Sequence, residues 1–355
     1  MPQNRKPRTP LVVAKRTPPK PSDLYPVFWR FAAERHDVYL KRVAGVRPPW
    51  TEDAVLREYK FTNVYRASDR VSQYFIRMIY SEPQQDTNTV FLRTLLFKIF
   101  NKIETWKQIV GQLGQPIASS FDFGACARLL DTLRARGHSI YSGAYIMPSG
   151  GGNTPSKHRM HLELLKQTLA EGLPSRLEKA ATLEDAYKLM LAVPTFGPFL
   201  AFQYAIDLNY TELLSHSEGD YVVAGPGALD GLSKIFEHLG DYTPAEAIHW
   251  LAKTQEEEFA KYGLHFHGLW GRPLQPVDVQ NVFCEVSKYT RASHPDVMGK
   301  SGRTRIKQKF KSHGPLPSPF FPPKWGLNQT VEDDLADERQ STVAKCAREQ
   351  ISLPL

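Results

Sequence analysis

The stretch Val193-Pro194-Thr195-Phe196-Gly197-Pro198-Phe199-Leu200-Ala201 couples a tight turn to a proline placed where a helix begins. Pro198 has no N–H, which costs nothing at a first helical position, and its ring fixes the backbone angle needed there. Thr195, Phe196 and Gly197 therefore leave amides free at the positive end of a helix, with Phe199 just inside it. That is the chemistry of an anion grip, able to hold a DNA phosphate without reading sequence. An ordinary helical hairpin inside a core would use the same residues.

A second stretch, Phe61-Thr62-Asn63-Val64-Tyr65-Arg66-Ala67-Ser68-Asp69-Arg70, sets paired arginines behind an aromatic-rich turn. Arg66 and Arg70 are four apart, which predicts one shared helix face, with Asp69 three from Arg66. The pattern suits base stacking and phosphate contacts. A buried ion-pair network at a helix start fits it equally well. Gly150-Gly151-Gly152, ahead of Lys157, could let a backbone approach a phosphate, although a flexible loop also explains the glycines. No phosphate-loop pattern is completed there. The other candidate, Gly299-Lys300-Ser301, has His294 where a glycine is required. His158/His161 and His265/His267 are close pairs without a third and fourth ligand at metal spacing, so neither a metal nor a cofactor is expected.

The elements that must position these groups read as helices. Thr182 caps a helix with Asp185 in the capping-box position, and Leu183, Ala186, Met190 and Leu191 give it an apolar face. Phe28, Phe31, Ala32, Arg35 and Tyr39 predict a first helix from Tyr25 to about Ala44, broken by Gly45 to Pro49. Thr51 is expected to cap the next. One apolar helix is expected between 90 and 110, others at Phe121 to Gly137, Ala228 to Leu239, Pro244 to Tyr262, and Asp278 to Tyr289. No strand run of consequence appears, so the fold class is all-α.

At 355 residues, with 41% hydrophobic content, the chain has ample core. Its net charge of +8 sits in two arms: residues 1–22 and 299–313 each hold six Lys/Arg and no acid. Basic arms suit phosphate-backbone binding, and Pro-rich tails are also commonly just solvated. The organisation expected is a disordered arm over 1–22, a helical domain over 23–298, and a tail over 299–355 that is basic, then Pro-rich and extended. Phe320, Phe321 and Trp325 could drape that tail over the domain. No membrane-spanning run or secretory signal appears, and Cys126, Cys284 and Cys346 suit a reducing cytoplasm.

The hairpin together with Asp220, 23 residues past Gly197, resembles the helix–hairpin–helix DNA glycosylase superfamily. That resemblance makes Asp220 the catalytic carboxylate; otherwise it is a cap for the helix near Ala228. Thr195 replaces the first hairpin glycine of many members, and Phe199 stands where bifunctional members carry a Schiff-base lysine, which removes a lyase step. The three cysteines leave no four-cysteine iron–sulfur cluster. With Pro48-Pro49-Trp50-Thr51, the 61–70 stretch, Phe100 to Trp106, Ala224 to Gly227 and Val279 to Glu285, the chain resembles more narrowly one helical domain over about 25–295. It is that of 5-hydroxymethyldeoxyuridine DNA kinases and the α-glutamyl/putrescinyl thymine pyrophosphorylase group, linked to hypermodified phage bases.

The resemblance implies, as first expectation, a monofunctional DNA glycosylase in anti-phage defence. It would flip a hydroxymethylated or glucosylated pyrimidine (hydroxymethyluracil or hydroxymethylcytosine) out of double-stranded DNA and leave an abasic site. Arg66, Arg70, Lys157, Gly225 and Gly227 would join Thr195, Phe196, Gly197 and Phe199 on the DNA, and Asn63, Tyr65, Glu104, Gln280 and Asn281 would form a base pocket or wedge. A monomer is expected. The alternatives are transfer of an amine or amino acid onto pyrophosphorylated 5-hydroxymethyluracil in DNA, and a non-enzymatic DNA-binding module.

Overall fold

Apolar residues at helical spacing become a series of helices in this computed structural model, which describes residues 16–82, 85–143, 147–148, 156–312 and 314–337. A short strand β1 (Lys20–Pro21) precedes α1 (Tyr25–Val43) and α2 (Ala54–Glu58). Then come α3 (Arg70–Tyr80), α4 (Thr87–Phe100), α5 (Ile103–Leu113), α6 (Phe123–Ala135), α7 (Lys157–Ala170) and α8 (Leu173–Glu178). The hairpin is α9 (Leu183–Leu191) and α10 (Pro198–Asn209), followed by α11 (Pro226–Ile235), strand β2 (Phe236–His238), α12 (Pro244–Lys261) and α13 (Pro276–Ser293). Among the described residues the only sheet is the antiparallel β1–β2 pair, so the protein is predominantly helical.

The helices gather into two groups sharing one continuous core. In the first, α4 is buried on nearly every face and is surrounded by α3, α7, α8 and α10. In the second, α13 is packed by α1, α2, α11 and α12, elements drawn from both ends of the chain. Gly231 permits the close α11–α13 crossing, because a Cβ there would lie 2.3 Å from the Phe283 carbonyl oxygen. A larger residue would force the helices apart.

Several boundaries differ from the sequence expectation, each for a local reason. The helix expected over 90–110 is two, because Asn101 takes a left-handed conformation (φ 47°) after α4. Arg66 and Arg70 share no helix: residues 66–68 form a single 3-10 turn, and Asp69 is extended before α3. Asp53, not Thr51, caps α2 by accepting from Leu56 N–H at 2.8 Å; Thr51 accepts from Asp53 N–H and donates to Glu34. Residues 236–239 leave the helix to pair with β1. Order begins before Tyr25, since Arg16 pairs with Glu246 at 2.8 Å and Thr17 N–H donates to Asp241. The tail is docked: Phe321 is fully buried, Lys324 donates to Thr211 O and Leu214 O, and residues 328–337 are helical rather than extended. The glycines at 150–152 lie outside the described residues.

Candidate functional site

The 61–70 stretch joins the two helix groups, and Asn63 is its organiser. Its amide N–H donates to Asp69 Oδ1 at 2.8 Å and its side-chain Nδ2 to Ser68 O at 2.7 Å. Its Oδ1 accepts from Arg35 and its backbone carbonyl from Asn281 Nδ2. Thr62 N–H donates to Glu285 Oε2 at 3.0 Å, so α13 grips the loop twice. Tyr65 is buried with its hydroxyl on Arg272 O at 2.7 Å. Burial pushes the Asp69 carboxyl up to about 6, although the Asn63 N–H and the Arg35 charge pull the other way.

Arg66 is the joint itself, 3% exposed. Its backbone N–H donates to Asp278 Oδ1 at the start of α13, its Nε to Gln203 Oε1 at 2.7 Å and its Nη1 to Asp207 Oδ1 at 2.7 Å, both on α10. Lys98 from α4 reaches the same Asp207 oxygen at 3.1 Å. Beside them, Arg272 holds Glu218 at 3.0 Å. Burial dominates the protonation here: it lowers Lys98 to about 8, with Asp207 opposing, and raises Glu218 against the pull of Arg272. Asp278 is raised to about 7 by burial, with the Glu218 charge adding to it. The ion-pair reading of Arg66 is thus the arrangement present; its guanidinium faces Asp207, not a phosphate.

A second convergence lies at the hairpin. Thr182 accepts from Asp185 N–H at 3.0 Å, and α9 ends in a turn where Thr195 takes φ 73°. That is a left-handed position, which a β-branched side chain resists. Thr195 and Gly197 are exposed, with Gly197 at the N-cap of α10, while Phe196 is buried on Tyr204 with ring centroids 4.9 Å apart. Phe199 lies against Gly225, the N-cap of α11: a Cβ at Gly225 would fall 2.5 Å from the Phe199 ring and 3.3 Å from Gln280 Nε2. Gly227 sits equally close to Cys284, whose Sγ would be 2.8 Å from an added Cβ. The starts of α10 and α11 are therefore locked to α13 by two glycines.

The remaining candidates are scattered. Arg70 and Glu104, both exposed, face each other at 4.0 Å across the starts of α3 and α5. Lys157 lies over the Tyr141 ring at 4.9 Å. Asp220 is exposed and makes no side-chain hydrogen bond among the described residues; burial lowers the nearby His216 and His249, and the Asp220 charge opposes that only in part. His158 pairs with Asp131 at 2.7 Å and His161 contacts the Tyr141 hydroxyl at 2.8 Å, so both are spent inside the fold. Among the described residues no three His, Cys, Asp or Glu side chains gather as metal ligands would.

Sequence reasoning passed over Arg35 as a ligand group and missed Lys98, Gln203, Asp207, Glu218, Arg272 and Asp278. A signal existed for three of them. Lys98, Gln203 and Asp207 stand inside otherwise apolar helical runs, where a charged or amide group must find a buried partner.

Residues 22–299 match the family described as 5-hmdU DNA kinase, helical domain. The chain belongs to this family. It is similar to the 5-hmdU DNA kinase of Bacillus phage SP10, with 23% identity over 297 residues that cover 78% of this chain and 46% of that protein. It therefore spans less than half the length of this curated relative. No solved structure matches the chain.

Membership in the 5-hmdU DNA kinase family overturns the first functional expectation. The named relative is a kinase acting on 5-hmdU in DNA, a transferase that modifies a base, and not a hydrolase that removes one. Excision to an abasic site, with Asp220 as the glycosylase carboxylate and a role in destroying phage DNA, is accordingly withdrawn. No helix among the described residues is long and apolar enough to cross a membrane.

Proposed function

We propose that this chain takes part in modifying 5-hydroxymethyluracil in DNA by group transfer at the 5-methylene carbon. The family match over residues 22–299 carries this reading. Its support in the structure is that the stretches on which the sequence resemblance rests, at 61–70, 193–201, 224–227 and 279–285, come together around α13. In this reading the α9–α10 turn is a helix–hairpin–helix grip. The amides at the start of α10 hold one DNA phosphate and the start of α11 offers a second anion-attracting end. Phe199, wedged between them against Gly225 and Gln280, fixes the spacing of the two helix ends. The transfer is displacement at an activated hydroxymethyl group: an amine or amino acid forms the new carbon–nitrogen bond as pyrophosphate departs with its electron pair.

The test is incubation of the protein with duplex DNA carrying pyrophosphorylated 5-hydroxymethyluracil, with and without candidate amines, with 5-hydroxymethyluracil DNA as the unactivated control. Nucleoside mass analysis follows. The expected product is a heavier thymidine analogue still in the strand, with release of pyrophosphate. Recovery of a free base, or equal affinity for thymine DNA and hydroxymethyluracil DNA with no mass change, would refute the proposal.

A further inference from the structure

Away from α10 and α11, a cavity of about 160 Å³ opens between α1, the 45–53 loop, α2 and a segment of the basic tail. Its walls are Trp50, Tyr59, Phe61 and Phe310, with Arg35, Arg42 and Arg57 around them and Thr51 at one side. Phe310 is held there by a strap: its N–H donates to Glu58 O at 2.9 Å, and Gln308 O accepts from Lys60 N–H at 3.0 Å. We propose that this cavity binds a pyrimidine nucleotide, the ring among the aromatic walls and the phosphate on Arg35 and Arg42.

Size, charge and an unfilled valence converge on that ligand. A cavity of about 150 Å³ accepts one benzene-sized ring, so a single six-membered base fits. Among the described residues no carboxylate lines the cavity. The acids nearby are each held: Glu34 accepts from Thr51 and Glu52 pairs with Arg57 at 3.8 Å at the cavity's edge, Asp53 serves the α2 cap and the Tyr289 hydroxyl, Glu58 pairs with Lys309, and Asp69, bonded to the Asn63 N–H, acts on Arg35 through its charge. Arg35, 8% exposed, gives Nη2 to Asn63 Oδ1 and Phe61 O, while its buried Nη1 has no acceptor. An unmade bond on a buried guanidinium is costly, and an anion that reaches Nη1 removes that cost.

Arg42 lies over the Trp50 ring at 5.1 Å and over Phe310 at 5.6 Å, with no carboxylate partner among the described residues. Burial lowers both arginines from their usual value, Arg35 to about 10, a penalty that a bound phosphate offsets. Bare phosphate would leave the aromatic walls unused, and an uncharged base would leave the guanidinium unpaired. The two kinds of wall select a ligand carrying both features.

The source is either a free nucleotide or one swung out of a DNA strand, and the test separates them. Full-length protein is titrated with thymidine 5′-monophosphate, thymidine, inorganic phosphate, and a duplex oligonucleotide with one unpaired thymine, by calorimetry and tryptophan fluorescence. The monophosphate is expected to bind roughly tenfold tighter than thymidine or phosphate. Arg42→Gln and Trp50→Ala should each weaken it roughly fivefold, the scale of one cation–π contact, with an unchanged Tm. Arg128→Gln, on the exposed face of α6, should leave it unchanged. Competition between oligonucleotide and monophosphate for the same residues identifies an extruded base; monophosphate binding alone identifies a free nucleotide. Binding of neither, equal binding of phosphate and monophosphate, or binding indifferent to both cavity variants overturns the proposal. Because no probe carries hydroxymethyluracil, the result is independent of hydroxymethyluracil chemistry.

Discussion

The Arg66 joint and the Trp50 cavity both bury arginines, yet they balance charge in opposite ways. At the joint, Arg66, Lys98 and Arg272 meet Asp207, Asp278 and Glu218, and almost every polar atom is directed at another part of the chain. At the cavity, Arg42 lies over aromatic rings with no carboxylate partner among the described residues, while Arg35 binds the neutral oxygens of Asn63 and Phe61 and feels the Asp69 charge without an ion pair. A buried cation answered by a buried anion is a fastener. A buried cation answered by π faces and open space is unfinished, and what finishes it comes from outside. Charge in the interior thus separates a structural centre from a receptive one, whereas counting arginines in the sequence treats them alike.

The comparison breaks most easily at Asp207. Asp207→Ala leaves Arg66 and Lys98 buried against each other, and should cost about 3–5 kcal/mol in urea unfolding. A loss no greater than that of a surface substitution would mean the joint is not a fastener. A smaller effect of opposite sign is expected at the hairpin: Thr195→Gly relieves a left-handed threonine and should stabilise the protein by about 1 kcal/mol in the same assay.

The pH profile sharpens the account of the joint. Asp278 has its folded value raised from 3.8 to about 7, so its contribution is full below pH 3.8 and is lost as pH rises to about 7. His36, lowered by burial from 6.5 to about 4, works the other way and loses stability as pH falls between those values. Asp278→Asn removes the opposing carboxyl, so the variant's stability should climb more steeply between pH 5 and 7 than the wild type's, read by thermal melts. Parallel curves would show that Asp278 is not protonated in the fold. The smallest effect belongs to the cavity: Arg42→Gln should move stability by no more than about 0.5 kcal/mol, because it touches Trp50 and Phe310 through cation–π contacts and makes no ion pair among the described residues. A loss on the scale of Asp207→Ala would make the cavity arginines fasteners too.

Much of the helical frame was legible in sequence, because periodicity and caps are local. The helices α1, α12 and α13 and the Thr182 cap all appear where the sequence put them. What failed was tertiary. Arg66 and Arg70 look equivalent at a spacing of four, but the extended Asp69 between them sends one inward and one to solvent. The cavity was invisible because Arg42, Trp50, Tyr59 and Phe310 come from four segments, the last from a tail that composition reads as extended. The convergence of Phe199, Gly225 and Gln280 depends on interhelical distances that no local pattern encodes.

The way α13 is wrapped by both chain ends bears on how the protein comes to be folded at all. Phe28 stacks near Phe283 with centroids 4.6 Å apart, and the Thr62–Glu285 bond closes a separation of 223 residues. During synthesis the elements around α4 can assemble as they emerge, and Trp29 and Phe31 find Phe259 and Phe61, but Phe28 of α1 lacks its Phe283 partner until α13 arrives. At ~5–20 residues per second that delay is on the order of tens of seconds, with a strongly apolar helix waiting in solvent. Nascent chains stalled before α13 should therefore be protease-sensitive in α1 and bound by chaperones there, and a helix made late in synthesis is the one that completes the first.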